Sequence, residues 1–215
     1  MDIWSDVACP WCYLGAGRFA AGVEQSGVDV DVEYHSFELA PDTPLDFEGS
    51  EVDFLATHKG MPHDQVVEML GQMTQRGASE GVAFDFEAIH HTRTLAAHQV
   101  LHLAKTQGLQ AAMAQRLFRA YFEQGRHLGR PQELADLAAE VGLDRDEVLA
   151  ALADARFADD VAADIAQARA YGINGVPFYV IAGRYGISGA QTPEVFADAL
   201  RTASTDGVAA GSPTP

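Results

Sequence analysis

The chain has 215 residues, 47% of them hydrophobic, and carries 14 Lys and Arg against 31 Asp and Glu, a formal net charge of -17. That length buries one good core, in one domain or in a small domain with a large insertion. The acidic residues are spread along the chain with no basic stripe, which argues against nucleic acid as a partner and reads most simply as solubility. No run approaches the roughly 20 apolar residues that cross a bilayer, and the start, with Met1 in place, lacks the basic and apolar regions of an export signal, so a cytoplasmic protein with no membrane partner is expected.

Residues 2–4 (DIW) form a short predicted strand, and a helix follows through Leu14, Phe19 and Val23 to Gly27. Residues 28–37 (VDVDVEYHSF) alternate apolar and polar with a period of two, the pattern of a half-buried strand. Strand, helix and strand make a βαβ unit whose strands should pair in parallel.

After a loop rich in Pro and Asp, the period changes to that of helices for more than 100 residues. Ser50 caps a helix that stops near Gly60, and Pro62 suits the first turn of the next, which runs to about Glu80. Beyond Phe84 and Phe86, helices are predicted through Leu95–Leu103 to Gly108, then to Gly125, from Pro131, from the capping pair Asp144 and Glu147, and to Tyr171 before Gly172. Strand character returns at 176–183 (VPFYVIAG) and 184–189 (RYGISG), an antiparallel hairpin, and Thr192 with Pro193 opens a last helix through Val195 and Leu200. The order matches an α/β thioredoxin fold with a large all-helical insertion between its second strand and the final ββα unit. Residues 1–40 and 172–203 are its two parts, 41–171 the insertion and 204–215 a disordered tail.

Cys9 and Cys12, in the sequence CPWC, are the two cysteines of the chain. Such a pair can be a redox dithiol, part of a zinc site, or two buried structural thiols. Zinc needs four ligands, and the histidine spacings on offer are His58 with His63, His98 with His102 and the adjacent His90 and His91; a two-Cys two-His site with His98 and His102 is the conceivable one. The redox reading is favoured because the pair follows a strand and opens a helix, where unpaired amides and the helix dipole stabilise a thiolate; no metal and no cofactor is then required. Cys9, at the N-cap, is the expected attacker and Cys12, one turn inward, the resolving thiol. Pro10 presets the turn and Trp11 is a partly exposed cover over the site. Taken by itself, the bond from Val176 to Pro177 would be trans, since about 5–6% of such bonds are cis.

SDVACPWCYLG, AHQVLHLA, LFRAYFEQG and YGINGVPFYVI followed by YGISGAQTPEVFADAL resemble the DsbA-like thioredoxin superfamily, and within it the cytoplasmic FrnE-type thiol:disulfide oxidoreductases, from Ile3 to about Leu200. The resemblance implies a catalytic disulfide at Cys9 and Cys12, a cis peptide before Pro177, and substrate contacts at Val176 and Pro177. His98 matches a recurring Ala-His of the insertion, while Arg93-Thr94 departs from the expected Asn-Thr or Asn-Ser. Asp6 is either the buried acid such folds place beneath the cysteines or, the favoured reading, a capping or loop residue. The expected partner is a thiol or disulfide, protein or small molecule, glutathione included, with a reductase or isomerase role favoured. A glutathione-dependent isomerase or transferase of the same architecture and a chaperone-like peptide-binding protein are the alternatives.

Overall fold

A computed structural model describes residues 1–210, with side chains to 205, and resolves the chain into β1 (Asp2–Ser5), α1 (Pro10–Ser26), β2 (Glu33–Ser36), α2 (Glu51–Lys59), α3 (His63–Ser79), α4 (Leu95–Thr106), α5 (Gln110–Gln124), α6 (Pro131–Glu140), α7 (Arg145–Ala153), α8 (Ala158–Ala170), β3 (Phe178–Ile181), β4 (Tyr185–Ser188) and α9 (Pro193–Ala210). The fold is a thioredoxin fold with a helical insertion. Its sheet has the order β2-β1-β3-β4, with β1 parallel to β2 and antiparallel to β3, and β3 antiparallel to β4.

The alternating stretch 28–37 yields a strand of four residues. Asp2 pairs with Glu33, so the chain before Glu33 has almost no β1 to lie against; the Glu33 N–H donates to the Met1 carbonyl, and the Met1 ammonium donates to the Asp31 carbonyl (both 2.9 Å). β2 is a sheet edge, and the Gln110 amide covers part of it by bonding both the N–H and the C=O of Tyr34 (3.0 and 2.8 Å). Ser50 and Asp53 form the reciprocal cap of α2, and Asp144 accepts from the Glu147 N–H (2.8 Å) at the start of α7. The hairpin closes through Ala182 and Gly183, both at positive φ.

Successive β1 residues point to opposite faces. Ile3 joins Leu14, Phe19, Tyr179, Phe196 and Leu200 in the main core, while Trp4 packs with Ala168 and Ile173 on the other side. Against the first face α1 and α9 lie close, because position 22 has no side chain: a Cβ there would come within 2.6 Å of the Phe196 Cβ and 2.8 Å of the Pro193 carbonyl.

Of the tail expected from residue 204, the described part continues α9 to Ala210, with Ala203 in the core and the Thr205 hydroxyl bonded back to the Arg201 carbonyl (3.2 Å). The rest of that expectation, residues 211–215, lies outside the described residues.

A buried polar joint ties insertion to sheet. Asp164 of α8 accepts from the Ser36 N–H (2.7 Å), and its carboxylate meets His35 Nδ1 (2.8 Å) and His102 Nε2 (3.1 Å); its backbone carbonyl accepts from Trp4 Nε1 (3.2 Å).

Candidate active site

Cys9 is the N-cap of α1, at φ -98° and ψ 114°, and Pro10 takes the first helical position, where its missing N–H leaves nothing unpaired. The Cys9 N–H donates to the Asp6 carbonyl (3.0 Å), and the Cys9 carbonyl accepts from Cys12 and Tyr13 (3.0 and 3.2 Å). Its thiol points at the carbonyl of Val176, with Sγ 3.7 Å from the oxygen. The bond from Val176 to Pro177 is cis. Gly15 permits this approach, since a Cβ there would stand 2.6 Å from the Tyr179 hydroxyl and 3.1 Å from Pro177 Cγ.

Cys12 is 2% exposed, one turn inside. Burial first, and then the neighbouring Cys9, push its thiol well up, against a smaller opposing pull from the Ser5 side chain and the Asp6 backbone. It is therefore a protonated thiol at neutral pH. Cys9 is also largely covered, and the two stand as free thiols.

Asp6 is 2% exposed and does not cap α1, a position Cys9 holds. Its carboxylate folds back on the Leu39 N–H (2.8 Å) and the Ala8 N–H (3.3 Å), with His98 Nε2 at 3.5 Å. Burial pushes its pKa up, but His98 and the two amides outweigh burial and hold the carboxyl below its ordinary value. Behind it His98 is 1% exposed and neither ring nitrogen has a hydrogen bond of good geometry. His98 and His102 thus face different carboxylates, Asp6 and Asp164, and do not converge on the cysteines.

Trp11 is 41% exposed beside the pair, with the Arg76 guanidinium over its ring at 5.5 Å. Between the start of α1, the loop after β2, and α2 with α3 opens a cavity of about 490 Å³ that Asp6, Cys9, Pro10, Trp11 and Val176 help to line. Much of its wall was not singled out by the sequence. Phe54, Met69, Met73 and Phe86 supply apolar surface, and Lys59 and Arg76 supply charge. At its floor the buried Glu51 meets His91 Nδ1 at 2.8 Å, and the Phe54 ring stacks on the imidazole. Arg93, where the sequence departs from the expected Asn, reaches Glu38 through two nitrogens (2.9 and 3.1 Å) and pins the loop after β2. Ser50, Gly60 and Pro62 mark α2 and α3 as helices without indicating that one face looks onto Cys9.

Residues 1–201 match the family described as DSBA-like thioredoxin domain. Among solved structures, a probable DsbA oxidoreductase from Streptomyces coelicolor is 38% identical with a TM-score of 0.88, covering 100% of this chain and 91% of that one. The cytosolic disulfide reductase DsbM from Pseudomonas aeruginosa, also solved with glutathione, is 23% identical with a TM-score of 0.63, over 95% of this chain and 98% of that one, and shares the fold. The uncharacterized protein YwbO of Bacillus subtilis is 30% identical over 206 residues, 93% of this chain and 94% of its own.

Proposed function

The chain belongs to the DSBA-like thioredoxin family and is a thiol:disulfide oxidoreductase, and on that premise we propose that it serves as a cytoplasmic, FrnE-type reductase or isomerase working through Cys9 and Cys12. The observation that carries the reading is the pair's placement. Cys9 caps a helix with its sulfur 3.7 Å from the carbonyl before Pro177, and a protonated Cys12 waits one turn inside.

In the proposed cycle the Cys9 thiolate attacks one sulfur of a disulfide, forming a mixed disulfide and expelling the other half as a thiolate. Cys12 then loses its proton and attacks Cys9 Sγ. The second half leaves as a thiol and the protein keeps the Cys9–Cys12 disulfide, two electrons having passed to the substrate. Asp6, held as a carboxylate near the start of α1, is the group proposed to draw off that proton. Val176 and Pro177 border the space where the substrate backbone would lie, and Trp11 screens its open side. The insertion, residues 41–171, would select the substrate.

A cytoplasmic role agrees with the absence, among the described residues, of any helix long and apolar enough to cross a membrane, and with the fold shared with a cytosolic disulfide reductase. Equilibration in glutathione redox buffers, followed by alkylation and intact mass, tests the reading. Both thiols should disappear together as one two-electron couple, with a midpoint nearer about -270 mV, as in reductants, than about -120 mV, as in strong oxidants. A pair that never closes, or one stable glutathione adduct, overturns it in favour of the glutathione-dependent isomerase or a structural pair of thiols.

A further inference from the structure

Resting on the reading of Cys9 as the attacking thiol, we infer that the cavity selects a small anionic disulfide whose carboxylates are held by Lys59 and Arg76 while its sulfur meets Cys9. The evidence is where the unpaired positive charge lies. The chain has 14 Lys and Arg and a net charge of -17, so carboxylate partners abound for every cation. Ten of the fourteen lie within 4.0 Å of one among the described residues, which leaves Lys59, Arg76, Arg169 and Arg184. Two of those four, Lys59 at the end of α2 and Arg76 in the last turn of α3, line the cavity that holds Cys9.

The acids of the same cavity are engaged elsewhere. Asp6 turns to Leu39, Ala8 and His98, and Glu51 to His91, while Glu80, near Arg76, is taken by Arg18 Nε and Nη2 (2.7 and 2.5 Å). The unpaired charge of the wall is thus that of Lys59 and Arg76, in a protein that is elsewhere strongly negative. Arg76 lies over the ring of Trp11, within CPWC itself, and a guanidinium stacked in this way keeps its N–H edge for two parallel bonds to a carboxylate. The volume, about 490 Å³, fits a small molecule, and the apolar wall suits the alkyl chains flanking a disulfide. A neutral or cationic disulfide leaves Lys59 and Arg76 without partners.

The chemistry is one two-electron exchange needing no other reactant: the reduced protein and RSSR give the Cys9–Cys12 disulfide and two RSH. Reduced protein is therefore mixed with 3,3′-dithiodipropionate, bis(2-hydroxyethyl) disulfide or cystamine, which are anionic, neutral and cationic, and closure of the pair is followed by acid quench, alkylation and mass. Each rate constant is divided by that of the same disulfide with dithiothreitol, removing intrinsic reactivity. The anionic disulfide should exceed the neutral one by about fivefold to tenfold, within the roughly twofold to thirtyfold that two exposed charge contacts give, with cystamine slowest and the preference shrinking as salt rises. Arg76→Gln with Lys59→Gln should bring the anionic-to-neutral ratio close to one. Arg76→Lys should keep most of it, and Arg169→Gln with Arg184→Gln, the unpaired cations away from the cavity, all of it. Equal normalised rates in the unsubstituted protein, or a preference surviving loss of Lys59 and Arg76, overturns the inference while leaving the exchange reading intact. Failure of the pair to close with any of the three disulfides instead refutes the exchange reading.

Discussion

Three glycines of α1 carry the same substitution to three different outcomes. In a helix interior, Gly to Ala gains about 1 kcal/mol of backbone propensity. At Gly17, exposed and with nothing within 4 Å of a new Cβ, that gain should appear nearly whole. At Gly22 the new methyl would sit 2.6 Å from the Phe196 Cβ and 2.8 Å from the Pro193 carbonyl. Carbon atoms in contact rest at about 3.5–4.0 Å, so α9 must retreat by about 1 Å. Because Phe196 is fully buried against Phe19 and Tyr179, the retreat loosens the main core, and overpacking of this kind costs about 1–3 kcal/mol. The net expectation is a loss of up to about 2 kcal/mol at Gly22, or up to roughly 8 °C in Tm for a chain of this size, against a gain at Gly17. Gly15 adds a functional readout, since its methyl meets the Tyr179 hydroxyl and Pro177 and would push the cis-proline segment away from Cys9. Gly15→Ala should slow disulfide exchange as well as lower Tm. Thermal unfolding of the three reduced variants, read with the rate of pair closure, is the assay. Stabilisation by Gly22→Ala equal to that by Gly17→Ala would refute the close-approach argument.

Replacing Cys12 with Ser removes the resolving thiol, so a mixed disulfide at Cys9 should accumulate and appear as one substrate adduct by intact mass; rapid release of both halves would contradict the assigned order of attack. Asp164→Asn should cost about 3 kcal/mol, the scale for breaking a buried ion-pair network, measured by denaturant unfolding near pH 5.5. The pH dependence of that cost follows from two opposed shifts. Burial pushes the Asp164 pKa up, but His102, His35 and the Ser36 N–H outweigh it and hold it well below the ordinary carboxylate range, so its contribution is full above about pH 4 and lost as pH falls through the native value. Burial lowers the His35 pKa, but Asp164, Asp2 and Glu33 outweigh it and raise it, so its contribution is full below about pH 6.5 and lost as pH rises through the native value. The Tm gap between the unsubstituted protein and Asp164→Asn should therefore be widest between about pH 4 and 6.5, and a gap that stays flat from pH 3 to 9 would contradict this account.

Element type was legible where one period ran unbroken and the chain carried its own punctuation. Ser50 and Gly60, Pro131, and Asp144 with Glu147 bracket helices by local hydrogen bonding and fixed dihedrals, which are properties of adjacent residues. Strand length was less legible: the alternation at 28–37 is ten residues long, but its pairing depends on a partner that begins at Asp2. At the site, Cys9 and Cys12 advertise themselves by spacing and by the helix they open. The cis bond before Pro177 did not follow from its neighbours and entered through a family resemblance. Lys59, Arg76 and Glu51 gave no local signal for the site, and His91 entered only as a neighbour of His90. An acid in the first turn of a capped helix and a base in the last turn both read as ordinary responses to the helix dipole. Only packing shows that Glu51 is buried against His91 while Lys59 and Arg76 remain open to the cavity.

That contrast bears on how the two parts of the molecule share the work. The cysteines, the cis-proline segment and Gly15 belong to the βαβ and ββα units, whose close approaches leave little room for change: a single methyl at position 15 or 22 collides with buried atoms. The cavity wall opposite them comes from α2 and α3, where Lys59 and Arg76 are exposed and pack against few fixed neighbours. On the proposed reading, redox chemistry thus rests on closely packed backbone, and selectivity on exposed side chains that can vary at small cost in stability. For the two to act on one substrate, the insertion must hold its position relative to Cys9. The joints that do so are polar and directional: Asp164 against Ser36, His35 and His102, Gln110 against Tyr34, and Arg93 against Glu38. Hydrogen-bonded joints of this kind fix register more sharply than apolar contact, which slides. Arg93 and Glu38 lock the segment that also gives Asp6 its Leu39 amide, so the joint that orients the cavity reaches the carboxylate beside Cys9 through one residue.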